Sequence, residues 1–80
     1  MMVKSIQAFS MSPNPARDFV VLRSAQSPIY SVVAHNLLGQ EVLNVNHFDQ
    51  QEVNLDIRQL NAGVYLLTIN NTQSLKLVVE

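Results

Sequence analysis

The sequence predicts an all-β domain, an antiparallel sandwich of seven strands, and three observations predict it. Apolar residues recur at period two in short bursts, and nowhere at helical spacing over the length a helix needs. The bursts follow one another about every 8 to 12 residues, the rhythm of a sandwich. The punctuating residues, three prolines and two glycines in 80 positions, fall at the joints between bursts.

The first strand is expected near Ile6 to Met11, ahead of the stretch SPNPA at residues 12–16. Proline removes a backbone donor and fixes φ, so Pro13 and Pro15 cannot both lie inside a paired central strand. The residue before a proline is pushed toward extended geometry, which makes Ser12 and Asn14 part of a rigid crossing between Phe9 and Phe19. Strands two and three are expected at Phe19 to Arg23 and Tyr30 to His35, with Pro28 at the edge of the third. Strand four, Glu41 to Phe48, is reached through NLLG. Asn36 can accept a hydrogen bond from the backbone two residues on, and Gly39 can supply the last turn position or a left-handed bulge.

Strand five, Glu52 to Ile57, alternates most cleanly. Val53, Leu55 and Ile57 share one face and Glu52, Asn54 and Asp56 the other, as expected of a strand with one buried side. In RQLNAGVY the alternation stops, Leu60 is expected to enter the core from a loop, and Gly63 turns the chain into strand six, Val64 to Asn70. The Tyr65 ring is expected in the core with its hydroxyl bonded back to the corner backbone, a device of immunoglobulin-like sandwiches. Strand seven, Leu75 to Val79, points Leu75, Leu77 and Val79 inward and Lys76, Val78 and Glu80 outward. The expected inward set is Phe19, Val21, Val32, Ala34, Val42, Val53, Leu55, Ile57, Leu60, Tyr65, Leu67, Ile69 and Leu77.

A chain of this length makes one domain, 1–80, and buries only about 60 to 65% of its unfolded surface, which leaves little room for a deep active site. Hydrophobic residues are 48% and charged residues 14% of the chain, the reverse of a disordered composition. The formal charge is −1. The cations Lys4, Arg17, Arg23, Arg58 and Lys76 are scattered, so the footprint of a nucleic-acid binder is missing. With no cysteine, disulfide frameworks and thiolate metal sites are excluded. No run nears the roughly 18 apolar residues that span a bilayer, and the N-terminus has no signal-peptide layout. The doubled Met1–Met2 fits a start added to a piece of a longer protein.

The residues that invite chemistry are few. His35 and His47, with Asp49 and Glu52 nearby, lack paired metal-ligand spacing, and histidines on strand faces are ordinarily polar surface residues. No G-x-S-x-G elbow is present. The expectation is a non-enzyme with no cofactor and no metal. Asn70, Asn71 and Thr72 form an N-x-T sequon that fits a polar hairpin turn and is given no functional weight.

Taken in order, PNPA with the apolar strand after it, VVAHNLLGQEV, LDIRQLNAGVYLLTI and SLKLVVE resemble the type A C-terminal sorting domain of the type IX (Por) secretion system. Members of that family show a PNPA-like box, an N-x-x-G or D-x-x-G hairpin, an L-x-x-G-x-Y corner and a K-L-V-V-like terminal strand, and the match runs from Phe9 to Glu80. The resemblance implies a non-catalytic module at the end of a secreted protein. It would direct an N-terminal cargo from the periplasm through an outer-membrane translocon of a Gram-negative bacterium to the cell surface, where a sortase-like protease removes it. Pro13, Asn14, Pro15 and Ala16 would be the box, Gly39 the hairpin, and Leu60, Gly63 and Tyr65 the corner, all keeping the fold. Lys76, Leu77, Val78 and Val79 would carry recognition, because an outer face and free edge on the last strand can be read by strand pairing. The alternative is a small immunoglobulin-like carbohydrate-binding or adhesive module. It is disfavoured because tryptophan is absent and the five aromatics, Phe9, Phe19, Tyr30, Phe48 and Tyr65, mostly fall where core residues are wanted. A structural spacer between domains is the third possibility.

Overall fold

In the computed structural model, which describes residues 9–80 apart from the side chain of His47, the alternating bursts become seven strands and no helix among the described residues. They are β1 (Phe9–Ser12), β2 (Phe19–Ser24), β3 (Ile29–His35), β4 (Glu41–Gln50), β5 (Glu52–Asp56), β6 (Gly63–Ile69) and β7 (Gln73–Val79). The start of the expected first strand, at Ile6, lies outside the described residues.

The strands form two antiparallel sheets, ordered β1-β2-β5 and β4-β3-β6-β7. Their inner faces share one core, in which Leu22, Ile29, Ile57, Leu67, Ile69 and Leu77 are the largest fully buried side chains. Of the expected inward set, Val32, Ala34, Val53, Leu55, Ile57, Leu60, Tyr65, Leu67, Ile69 and Leu77 are buried.

Three members are not. On β2 the faces are inverted: Val20 and Leu22 are fully buried, while Phe19 is 44% exposed and Val21 half-buried. The run FVVL is apolar at every position, so period two does not say which pair faces in. Pairing decides it, because β2 meets β5 with Val20 opposite Leu55 and Leu22 opposite Val53, and residues opposite one another share a face. Phe19 instead lies under Arg58, whose guanidinium carbon is 5.2 Å from the ring centroid.

Val42, the third, is also exposed. Ala34 pairs with Leu43 but His35 with Glu41, so Val42 is the extra residue of a bulge, which breaks the alternation at that point. Tyr30 is exposed too, so Phe9 and Tyr65 are buried, Phe48 packs against the core from its edge, and Phe19 and Tyr30 are not core residues.

The turns follow their local chemistry. Asn36 Oδ1 accepts from Leu38 N at 2.9 Å and from Gln40 N at 3.0 Å, and Gly39 N donates to Asn36 O at 3.0 Å with Gly39 at φ 82°. A left-handed φ of this kind favours glycine. Between β6 and β7, Asn70 (φ 54°) and Asn71 (φ 56°) are both left-handed, and Thr72 N donates to Ile69 O at 3.0 Å. That is a type I′ hairpin turn, in which asparagine tolerates positive φ.

Candidate functional site

The strand registers bring the singled-out residues to one end of the sandwich. In the larger sheet His35 lies opposite Leu66 and Gly63 opposite Val79, so the NLLG turn, the corner before β6 and the end of β7 share that end. In the smaller sheet Phe19 lies opposite Asp56, which places the box at 13–16 and the loop after β5 there as well. The type I′ turn at Asn70–Asn71 lies at the opposite end.

Within this cluster the box holds the last strand. Both X–Pro bonds, Ser12–Pro13 and Asn14–Pro15, are cis. Asn14 Nδ2 donates to Lys76 O at 2.8 Å, and Val78 N donates to Asn14 Oδ1 at 2.9 Å. Ala16 N then donates to Val78 O at 2.8 Å and Glu80 N to Ala16 O at 2.8 Å, the pattern of a parallel bridge opposite Val79. One side-chain amide and one residue of main chain thus act as a short neighbouring strand. The Ala16 methyl is 1% exposed, packed where a larger side chain would displace the core.

The expected free edge of the last strand is therefore corrected. β7 is the edge strand of its sheet, but from Lys76 O to Glu80 N its outward main chain is bonded to the box. What remains among the described residues is the main chain of Ser74, the amide of Lys76 and the outer face. That face carries Lys76, exposed, and Val78, half-buried, while Leu77 and Val79 are buried. Met11, Asn14, Leu75 and Lys76 line a cleft of about 200 Å³ where the box leaves β1.

The corner is built as its sequence suggests. Leu60 is buried and its amide donates to Ile57 O at 3.0 Å. The Tyr65 ring is buried and its hydroxyl donates to Asn61 O at 2.5 Å. Gly63 has φ 158°, and a Cβ there would meet the Tyr65 ring at 3.9 Å. Just before the corner, Arg58 grips Asp56: its side chain donates to both carboxylate oxygens, at 2.8 to 3.3 Å, and its amide to Oδ1 at 2.9 Å. The side-chain hydrogen bonds chiefly, then the backbone one, hold the Asp56 carboxyl down at about 2. The same contacts raise Arg58.

His35 is half-buried on β3 opposite Glu41. Among the described residues no three His, Asp or Glu side chains gather into a set that could hold a metal ion. The sequon asparagine is already engaged. Asn70 Oδ1 accepts from Tyr30 N at 2.7 Å and Ser31 N at 3.1 Å, and Nδ2 donates to Pro28 O at 2.9 Å.

Neither this clamp nor the Asn14 bonds to β7 are visible to local sequence rules. An asparagine beside prolines or in a turn signals local geometry, and here its partners lie 39 to 64 residues away.

Comparison with known proteins gives one positive finding. The family model described as "Secretion system C-terminal sorting domain" matches residues 10–80. No curated protein and no solved structure matches the chain.

Proposed function

The chain belongs to the family of secretion system C-terminal sorting domains, and from that membership we propose that it carries an N-terminal cargo across the outer membrane of a Gram-negative bacterium. The family's role, a sorting signal for type IX secretion, implies a cargo, a secretion machinery and a destination at the cell surface or outside the cell. In this reading the domain transits the periplasm folded, engages the outer-membrane translocon, and is removed at the surface by a sortase-like protease. It does no chemistry itself and needs no cofactor.

The observation that carries the reading is the family match over residues 10–80. The gathering of box, hairpin, corner and last strand at one end supports it. Lys76, Leu77, Val78 and Val79 are the proposed recognition strand. Pro13, Asn14, Pro15, Ala16, Gly39, Leu60, Gly63 and Tyr65 keep the fold, and of these Asn14 and Ala16 bond the strand from its open side. With most of its edge covered by the box, β7 offers a partner chiefly its outer face and the short stretch from Ser74 to the Lys76 amide. The carbohydrate-module alternative loses ground, because its exposed aromatics, Phe19 and Tyr30, sit on different sheets at opposite ends and form no single stacking platform.

Export of a reporter fused ahead of the domain tests the reading. Lys76→Ala, at an exposed position, should change stability by no more than about 0.5 kcal/mol yet leave the reporter in the periplasm. Leu77→Ala opens a cavity under a fully buried side chain, costs about 2 to 5 kcal/mol, and serves as the unfolding control. A Lys76→Ala fusion that reaches the surface as well as the parent would reduce β7 to scaffold. Failure of the parent fusion to leave the cell would refute the sorting role.

A further inference from the structure

Two adjacent leucines at the tip of the β3–β4 hairpin take no part in the core formed by the described residues. Leu37 and Leu38 are 74% and 84% exposed. The turn that carries them is nevertheless closely tied. Besides the three bonds already given, Asn36 N donates to Gln40 O at 3.0 Å and Asn36 Nδ2 to Gln40 Oε1 at 2.8 Å. Asn36 and Gly39 satisfy this turn by themselves, and its two central positions accept most residue types. Turn chemistry does not ask for leucine at either one.

The hairpin's charge restricts what can cover them. The sequence has no Lys or Arg between Arg23 and Arg58, and of the two carboxylates on Ile29–Gln50 Glu41 sits beside the tip, opposite His35, while Asp49 lies at the far end near Ile29, so the tip of the hairpin carries an acid and no base. Peripheral binders of anionic lipid place basic residues beside their apolar ones, and this hairpin does the opposite. Its main chain is ordered beforehand, which favours a shaped pocket over a fluid surface because little loop entropy remains to be lost on docking. The registers set the tip at the same end as the box and the end of β7.

We propose that Leu37 and Leu38 form an apolar plug that docks into a protein pocket of the secretion machinery, one with an aliphatic or aromatic floor and a neutral-to-basic rim facing Glu41. The proposal rests on the sorting reading above and adds a second contact, separate from β7.

The test fuses a reporter to the parent chain, to a Leu37→Ser/Leu38→Ser pair and to a Leu37→Met/Leu38→Met pair, in a bacterium with a type IX system. The serine pair should lower surface reporter about tenfold or more, the size of effect expected when a docking anchor is truncated. Its thermal midpoint should stay within about 2 to 4 °C of the parent, the span for exposed substitutions in a domain this small. The methionine pair, still apolar, should keep export. Parental export of the serine pair overturns the plug, as does a larger fall in its midpoint, which would make the leucines scaffold. Retention of the parent fusion itself removes the sorting reading and the plug with it. Sedimentation of the parent chain, but not the serine pair, with phosphatidylcholine or phosphatidylglycerol vesicles would replace the pocket with a lipid surface. A parent dimer on size exclusion that the serine pair abolishes would replace it with a second copy.

Discussion

Replacing Asn14 with alanine removes the side-chain half of the clasp on β7 and leaves the Ala16 half in place. Two hydrogen bonds are lost, at 2.8 Å to Lys76 O and 2.9 Å from Val78 N. Each is worth about 0.5 to 1.5 kcal/mol net. Both lie on an exposed edge, where water can replace the lost partner, so the sum should fall at the low end, about 1 to 2 kcal/mol. For a domain of this size each kcal/mol moves the thermal midpoint by about 4 to 8 °C. Urea titration followed by circular dichroism measures the loss, and hydrogen exchange at the Val78 amide reports the local opening. Asn14→Asp sharpens the reading. Its carboxylate can still accept from Val78 N but faces Lys76 O with no proton to donate, so part of the loss remains at neutral pH. Protonation restores a donor, and the gap from the parent should narrow in acid. An unchanged midpoint together with a still-protected Val78 amide in Asn14→Ala would show that the clasp contributes nothing.

Two further outcomes are expected. Tyr65→Phe keeps the buried ring but deletes the hydroxyl bonded to Asn61 O and should cost about 1 kcal/mol or somewhat more; identical denaturation midpoints would mean that the corner bond is not stabilising. Asp56 has a folded pKa of about 2, below its usual 3.8. The Arg58 grip therefore contributes stability that is fully present above about pH 4 and lost as pH falls toward 2. Asp56→Asn should flatten the stability profile over that window, and added salt should shrink the difference because the pair is exposed. A profile with the same slope in parent and variant would contradict this.

The strands were legible because most of them are half-wet. Wherever an apolar residue alternates with a polar one, as at Val53, Leu55 and Ile57 or at Lys76 and Leu77, period two states which side faces the core, and the structure agrees. At Phe19–Leu22 every residue is apolar and the pattern carries no phase, so only the partner strand fixes the face. Val42 shows the other failure: one bulged residue moves out of phase, and nothing in its own sequence marks it. The Asn36–Gly39 turn could be read because its bonds are local. The covered edge of β7 could not, because its occupant lies more than sixty residues upstream.

The bridge from Ala16 to Val79 also bears on the order of events during synthesis. A chain emerging from the ribosome can pair β1 with β2 and close the β3–β4 hairpin early, since those contacts are near in sequence. The box at residues 13–16 has nothing to clasp until the stretch from Lys76 to Glu80, more than sixty residues later, appears. Contacts this distant in sequence form late because they require the largest loop closure. A chain cut short before Val78 leaves Ala16 without its bridge and opens the covered edge of the larger sheet, so completed closure of this domain reports that translation ran through Glu80.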